Sequence, residues 1–401
     1  MDAADIAWLR SPGGSAAAAE AATLLSAGSE LTALRRLGHT YTPQQARAAV
    51  SLALGRRAAA TKFEDADRLF CDREAAEQAG HELVACHIAA RFAGMHNVAD
   101  LGCGMGGDAM AITEHARVLA IDRDPARLAM LAANAEVRGV STNVALLEAD
   151  LAHWSLPSDI DALWADPARR DANGRRLGPE SWSPPLSRVL ELASDVSAAG
   201  IKLAPGIDLS LLPADAEVEF VSLRRDMKAA VLWTGSLVRA RRTATVLHAG
   251  VTLQGDPDEQ STRLGEPGRY LYDPDPAIGR AGLVETLAAE LGAWKLDERI
   301  AYLTSYEASD SPFARRLRVH SWCSFSERRL VQTLREAGFA RVEVTRRGSP
   351  VETNALERRL NATLRSVNST VTNSTAATAI VVLTRYRGEH IALICERETT
   401  D

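Results

Sequence analysis

An apolar run followed by an acid and a cluster of glycines, VADLGCGMGGDAM at residues 98–110, has the residue types needed to bind a ligand. Glycines after a strand let the backbone pass close to a bound group, and Gly102-x-Gly104-x-x-Gly107 satisfies the dinucleotide-binding fingerprint. Asp100 lies two residues before the first glycine, where ligands of α/β sheets bind. An acid there attracts a cationic amino-acid end, such as the α-ammonium of S-adenosylmethionine, and repels the anionic pyrophosphate of NAD.

The next two predicted strands also end in acids. Asp122 in VLAIDRDP could accept hydrogen bonds from both hydroxyls of a ribose, while Asp124 is expected to cap the helix that begins at Pro125. An NAD enzyme would need the same ribose acid, so Asp122 does not distinguish the two ligands. Asp150 in LLEADL could accept a hydrogen bond from an adenine amino group, with the backbone N–H of Leu151 beside the ring. A helix-cap role explains Asp150 equally well.

The elements that must position these acids alternate between short apolar runs and helical stretches from residue 97 onward. This rhythm predicts a parallel, doubly wound sheet of the α/β class. The runs AEVEFVSL and KAAVLWTG then follow one another without a helix, which predicts an antiparallel pair at the end of the sheet. Residues 1–95 are alanine-rich with helical periodicity, and residues 241–401 mix strands with helices. In that last region we expect TATVLHAGVTLQ to be strand-like, AIGRAGLVETLAAELG to be a helix, GDPDEQSTRLGEPGRYLYDPDP to be a loop-rich connector, and TAIVVLTRYRGEHIALICER to be a hairpin that turns near Arg387 and Gly388.

Taken together, residues 98–203 resemble a class I S-adenosylmethionine-dependent methyltransferase. More narrowly, the chain is similar to a bacterial family of such enzymes with a C-terminal THUMP-like domain, through KFEDADRLFCDREAAEQA, DLGCGMGGD, ADPARR, IKLAPGID, YDPDPAIGRAGL and AYLTSYEASDSPFARRLRV. The expected domains are an N-terminal helical region (1–95), a methyltransferase domain with a Rossmann-like seven-stranded sheet (96–240) and a small THUMP-like α+β domain (241–401). The expected cofactor is S-adenosyl-L-methionine, with the binding residues Asp100, Gly102, Gly104, Gly106, Asp122, Arg123, Asp150 and Leu151.

The residues after the fourth predicted strand, in ALWADPARRD, bear on the chemistry. Methyltransferases of exocyclic amines usually carry Asp/Asn-Pro-Pro-aromatic here. Asp166 and Pro167 match that pattern, and we expect Asp166 to orient the nucleophile and to accept charge from it. The second proline and the aromatic are missing, so a group that stacks on a base would have to be Arg169, Trp164, Trp182 or a residue of another domain.

Three basic residues near this strand are predicted to bind substrate: Arg169, Arg170 and Lys202. A salt bridge within the protein explains the two arginines equally well, and Lys202 could simply be a structural residue at a strand end. The DPAR sequence also resembles uracil-C5 RNA methyltransferases, which need a cysteine shortly after the next strand. That strand, GIKLAPGID, has no cysteine, so methylation of an amino nitrogen is favoured over methylation of carbon.

The charge distribution suggests a nucleic-acid partner only in one region. The formal net charge is −6, but residues 301–401 contain 15 arginines and no lysine against 11 acids. Arginine forks match phosphate geometry, which together with the THUMP-like resemblance predicts tRNA or rRNA as the partner. A general replacement of lysine by arginine, as in GC-rich coding sequences, would give the same composition.

Several classes of protein remain alternatives at this stage: a methyltransferase of proteins or small molecules, a non-catalytic nucleic-acid-binding protein with a relic pocket, and an NAD-dependent oxidoreductase. The last leaves Asp100 and Asp150 unexplained. The five cysteines are scattered without metal-ligand spacing, which predicts reduced thiols and no metal site. No apolar run is long enough for a membrane span, and the N-terminus lacks a signal-peptide core, so we expect a cytoplasmic protein.

Overall fold

The computed structural model describes residues 1–168, 178–367 and 378–397. Contacts divide the chain into two compact units, one of Met1–Glu219 with Lys228–Arg239 and the other of Phe220–Met227 with Ala240–Asp401. Within the described ranges, no helix is both long and apolar enough to cross a membrane. The predicted substrate residues Arg169 and Arg170 lie outside the described residues.

The first unit begins with helices, as the alanine-rich periodicity predicts, and continues with alternating strands and helices. The N-terminal helices are α1 (Ala3–Leu9), α2 (Pro12–Ala27), α3 (Glu30–Leu37), α4 (Pro43–Ala59), α5 (Arg73–Gln78) and α6 (Glu82–Ala89). The later helices are α7 (Gly107–Ile112), α8 (Pro125–Val137) and α9 (Leu186–Ser194). The strands are β1 (Asn97–Leu101), β2 (Arg117–Asp122), β3 (Val144–Glu148), β4 (Ala162–Ala165) and β5 (Ala198–Leu203), followed by β6 (Glu217–Leu223) and β7 (Asp226–Gly235), of which residues 220–227 belong to the second unit.

These strands form part of a nine-stranded sheet, in the order β3-β2-β1-β4-β5-β7-β6, where the sequence predicts seven strands. Strands β1 to β5 pair in parallel, and β7 then pairs antiparallel with β5. The central strands β4 and β5 are buried along their whole length, as expected for parallel strands covered on both faces. Because β1 to β5 point the same way, their carboxyl ends share one edge of the sheet.

The N-terminal helices pack onto this sheet layer within the same unit. Ile6 of α1, with Phe63 and Leu69 of the segment between α4 and α5, shares a core with Met105 and Met130. Polar contacts reinforce the packing, since Asn134 of α8 bonds to the backbone of Phe70 and to the carbonyl of Met105. The helices therefore help to fix the loop that follows β1.

The second unit is an α+β layer with its own sheet. Its helices are α10 (Pro276–Ala281), α11 (Val284–Leu291), α12 (Glu327–Glu336) and α13 (Thr353–Val367). Its strands are β8 (Arg242–Val246), β9 (Val251–Gly255), β10 (Tyr270–Pro274), β11 (Trp294–Lys295), β12 (Leu303–Ser305), β13 (Ala314–Ser324), β14 (Arg341–Arg346), β15 (Thr378–Tyr386) and β16 (Glu389–Arg397). Strands β10 to β16 form a sheet in the order β11-β12-β10-β13-β16-β15-β14, with α12 and α13 contributing to the core on one face.

Three segments of this unit are more finely divided than the sequence predicts. TATVLHAGVTLQ is two antiparallel strands, β8 and β9, because the chain turns at Gly250 with φ of 66°. AIGRAGLVETLAAELG is two helices, because Gly282 at φ of 75° ends α10. The expected loop before it ends in strand β10. The C-terminal hairpin does turn at Arg387 and Gly388, as predicted.

Candidate active site

The carboxyl edge of the parallel strands gathers the acids that the sequence singled out. Asp100 lies in β1 and Asp122 ends β2, while Asp166 follows β4 directly. Lys202 lies in β5, the strand beside β4. Ligands of open α/β sheets bind at this edge, so the predicted residues of four strands are brought to the expected place.

The glycine loop after β1 provides an open backbone surface. Gly102 and Gly104 have φ of 84° and 55°, and an added Cβ at either would meet no atom within 4 Å. Gly106, at φ of 93°, is required for packing, because its Cβ would lie 2.0 Å from Cδ1 of Leu131. The loop thus leaves space above two glycines and none at the third.

Asp100 is the most strongly perturbed acid of the edge. Its side chain is buried, and one carboxylate oxygen, Oδ2, has no hydrogen-bond partner. Burial, together with the negative charges of Asp108, Asp166 and Asp122, raises the pKa of Asp100 well above its usual value, while Lys202 acts in the opposite direction. An unsatisfied buried carboxylate is costly, and a cationic ligand group placed against it would remove that cost.

Asp122 supports the glycine loop as well as facing the ligand edge. Its Oδ2 accepts the N–H of Gly104 at 3.0 Å and its Oδ1 accepts the N–H of Asp124 at 2.9 Å. Asp124 in turn caps α8 by accepting the N–H of Ala126, as predicted. Both oxygens of Asp122 already accept a backbone hydrogen bond, but each keeps a further lone pair that could accept from a hydroxyl.

The remaining predicted cofactor residues occupy the outer part of the edge. Asp150 is exposed, and its Oδ1 accepts the N–H of Ala152 at 3.0 Å, which is the local turn role that the sequence left open. Leu151 is buried, and Arg123 is exposed beside Asp122. Their part in binding a cofactor stays a prediction.

Lys202 and Asp166 form a buried ion pair at the ends of β5 and β4. The Lys202 ammonium donates to Oδ2 of Asp166, and the two side chains are 6% and 23% exposed. The nearby Ala168 exchanges backbone hydrogen bonds with Ser183, which fixes the segment after Asp166. Lys202, which is predicted to contact substrate, is therefore paired with Asp166, the predicted catalytic acid.

Asp108 joins this cluster and was missed by the sequence analysis. Its Oδ2 accepts the indole N–H of Trp164 at 3.0 Å. Burial and the neighbouring charge of Asp166 raise the pKa of Asp108, although Lys202 and the Trp164 hydrogen bond act to lower it. The only signal was an acid directly after the glycines, which is also what a first helical turn favours.

The N-terminal helices reach the same cluster through Lys62. Its ammonium donates to the carbonyls of Ala76, Glu77 and Ala79, the last residues of α5 and the residue after it. The next residue is Gly80, whose Cβ would lie 3.2 Å from Nζ of Lys202. Lys62 therefore stabilises a turn that passes directly over the Lys202–Asp166 pair.

The two tryptophans considered as stacking groups are not available for that role in this structure. Trp164 is completely buried against Phe92 and Trp233, and Trp182 is 4% exposed. Cys103, in the glycine loop, is also buried, and burial raises the pKa of its thiol well above the usual value. Within the described parts of the chain, no group of three His, Cys, Asp or Glu side chains could hold a metal ion.

Comparison with known proteins identifies the family. A methyltransferase-domain model matches residues 98–168, and a THUMP domain-like model matches residues 314–397. Two Mycobacterium tuberculosis proteins, described as uncharacterized S-adenosylmethionine-dependent methyltransferases, are 36% identical over 299 residues, covering 73% of this chain and 80% of each relative. The chain belongs to the S-adenosylmethionine-dependent methyltransferases. A crystal structure of a candidate methyltransferase from Porphyromonas gingivalis has the same fold, with a TM-score of 0.71 at 19% identity over 90% of this chain and 92% of that chain.

The geometry of the edge fits the cofactor of this family, S-adenosylmethionine. The unpartnered carboxylate of Asp100 would receive its α-ammonium group, and Asp122 would accept from its ribose hydroxyls. Gly102 and Gly104 leave open space in which the cofactor could lie against the protein backbone. When bound, this cofactor supplies an electrophilic methyl group on a sulfonium sulfur. The expected methyltransferase fold, enzyme class, cofactor and THUMP-like C-terminus are confirmed.

Proposed function

We propose that this methyltransferase modifies an exocyclic amino group of a base in tRNA or rRNA, with Asp166 as the residue that orients the amine. The observation that carries the proposal is the Asp166 carboxylate, held by the buried ammonium of Lys202 at the carboxyl edge beside Asp100. The RNA of the cytoplasm is the expected substrate pool.

The ion pair gives Asp166 the properties of an acceptor. The Lys202 ammonium donates to the Asp166 carboxylate, and the oxygens of a carboxylate accept hydrogen bonds. Asp166 would accept an N–H of the amine and so direct the nitrogen lone pair away from itself. As the nitrogen gains positive charge, the carboxylate stabilises it and can receive the proton that the product amine releases. Pro167, which is buried, restricts the backbone that carries the carboxylate.

Positioning supplies most of the rate enhancement in such a transfer. Holding two reacting groups in line near 3 Å is worth up to roughly 7–11 kcal/mol, so small displacements of Asp166 would be costly. The backbone bridge from Ala168 to Ser183 and the Lys202 contact both restrain that carboxylate. The buried thiol of Cys103, with its raised pKa, does not suit the cysteine-adduct route to a methylated carbon.

The RNA part of the proposal is supported by the second unit. Its residues 314–397 match the THUMP domain-like model, and arginines are concentrated there. Several of these arginines are exposed on helices and strand ends: Arg318, Arg328, Arg329, Arg335, Arg341, Arg346, Arg358 and Arg387. Exposed guanidinium groups are suited to phosphate contacts.

The test is transfer of radiolabelled methyl groups from S-adenosylmethionine to RNA isolated from a strain that lacks the enzyme. We expect label in tRNA or rRNA and a single N-methylated nucleoside after digestion. Asp166→Ala should lower kcat by about 100-fold or more while cofactor affinity is retained, and Asp215→Asn, at an exposed acid of the same unit, should have no effect. Label found in protein or in small molecules instead of RNA would contradict the proposed substrate class.

A further inference from the structure

One carboxylate of the second unit is surrounded by three arginines. Oδ2 of Asp273 lies 2.8 Å from Nη2 of Arg225 and 3.2 Å from Nη2 of Arg315, and Oδ1 lies 3.1 Å from Nη2 of Arg347. Arg225 and Arg347 also donate to the carbonyl of Pro274. We call Arg225, Arg315 and Arg347 the arginine triad; all three belong to the same compact unit as Asp273.

The triad carries more positive charge than its surroundings balance. Three guanidinium groups face the single carboxylate of Asp273, which is only 9% exposed. Even if Asp275 is counted, whose Oδ1 is used to cap α10, the arginines remain in excess. Like charges held together repel one another, so this arrangement is most favourable when a second anion is present.

The three arginine side chains are partly exposed and are restrained by their neighbours. The side chains of Arg225, Arg315 and Arg347 are 33%, 38% and 28% exposed, so a ligand can reach them from solvent. Arg347 also lies over the ring of Tyr302, 5.4 Å from its centre, which limits its rotation. Nε of Arg315 is buried without a hydrogen-bond partner. Pre-organised guanidinium forks are the side chains that best match a phosphate group.

The backbone at Arg225 is strained and holds its side chain toward Asp273. Arg224 and Arg225 join β6 to β7 with φ of 53° and 63°, the left-handed conformation that hairpin turns normally give to Asn and Gly. A non-glycine residue in this conformation is strained. The chain keeps arginine at a position where glycine would be more favourable, and the Arg225 side chain reaches Asp273 from there.

We propose that the arginine triad binds a phosphate group of the RNA backbone. This rests on the proposed RNA substrate and adds to it a specific contact site outside the methyl-transfer edge. Binding one phosphate with these residues would release condensed counterions, so it contributes both affinity and salt dependence without reading the base sequence.

The test compares two glycine substitutions in the same turn. Arg225→Gly and Arg224→Gly each remove one positive charge and relieve the same backbone strain, but only Arg225 contacts Asp273. Binding of fluorescently labelled tRNA and rRNA fragments to the full chain is measured by anisotropy over a range of salt concentrations. Arg225→Gly should weaken binding by about ten-fold and lower the salt slope by about one. Arg224→Gly should change binding by less than about two-fold.

Equal effects of the two substitutions would overturn the triad as a specific site. A parallel arm measures thermal stabilisation by inorganic phosphate alone. Stabilisation lost in Arg225→Gly while RNA affinity is unchanged would mean that the site takes free phosphate, and would also overturn the proposal. If the wild-type protein methylates RNA and Arg225→Gly binds that RNA normally, the triad proposal fails while the proposed function stands. If the wild-type protein neither binds nor methylates RNA, both the proposed function and the triad proposal are overturned.

Discussion

Replacing Lys202 by methionine tests whether charge balance holds the active-site edge together. The substitution keeps the length of the side chain but removes the ammonium that faces Asp166 and lies near the carboxylates of Asp100 and Asp108. Removing one partner of a fully buried ion pair costs about 3–5 kcal/mol, but the Asp166 side chain is 23% exposed, so we expect a smaller loss of about 1–3 kcal/mol. A domain with a typical stability of about 5–15 kcal/mol would still fold.

The loss should depend on pH in a predictable direction. The folded-state pKa values of Asp100 and Asp108 are already raised above their usual values, and Lys202 opposes that rise. A carboxyl group with a raised folded-state pKa favours folding at low pH, and this contribution is lost as the pH increases. Without Lys202 both pKa values rise further. The stability deficit of Lys202→Met relative to wild type should therefore be small near pH 5 and large near pH 8.

Denaturant unfolding followed by tryptophan fluorescence measures this, since Trp164 is buried and hydrogen-bonded to Asp108. Adding Asp108→Asn to Lys202→Met removes one of the crowded charges and should restore part of the stability at pH 8. Arg57→Met, at an exposed cationic side chain of the same unit, is the control and should show a deficit under about 1 kcal/mol at both pH values. A deficit in Lys202→Met that is equal at pH 5 and pH 8, or no rescue by Asp108→Asn, would refute the electrostatic explanation.

Three further predictions concern the cofactor edge. Asp100→Asn should weaken S-adenosylmethionine binding by roughly 10- to 100-fold in isothermal titration, because a charge-assisted contact is lost. In the wild type, affinity should fall as the pH is lowered through the raised pKa of Asp100, since the ammonium group binds the ionised form; Asp100→Asn should abolish that dependence. Gly106→Ala should destabilise the protein by about 1–3 kcal/mol or more in thermal unfolding, because its Cβ collides with Leu131. Gly104→Ala, with open space at its Cβ, should cost less, and equal losses would show that the collision is relieved by a small shift.

The sheet could be predicted because its signals are local. Each of β1 to β5 is a short apolar run, and acids or glycines mark where several of them end. The second unit was less predictable, since Gly282 ends α10 inside a continuous helical pattern and Gly250 divides an apparent strand in two. A glycine at positive φ is a conformational choice that tertiary packing makes, and a single sequence does not reveal which glycines adopt it.

The site was predicted residue by residue but not as a set of contacts. Lys202 and Asp166 were both singled out, yet they are 36 residues apart and only the parallel pairing of β4 with β5 brings them together. The position of Asp108 beneath Trp164, and of the Lys62-stabilised turn above Lys202, likewise depends on packing between distant segments. Local patterns identify side chains that can do chemistry, but packing between distant segments decides which of them form ion pairs and hydrogen bonds.

The two charge clusters also explain why the net charge of −6 is a poor guide to the partners of this chain. The first unit concentrates carboxylates at the strand ends, where a cationic cofactor relieves the burial of Asp100. The second unit surrounds Asp273 with an excess of arginines, where an anionic ligand would relieve their repulsion. Each cluster has an excess of the charge that is opposite to the charge of its proposed ligand. The charge of each proposed ligand therefore follows from the local imbalance within a few ångströms rather than from the sum over the sequence.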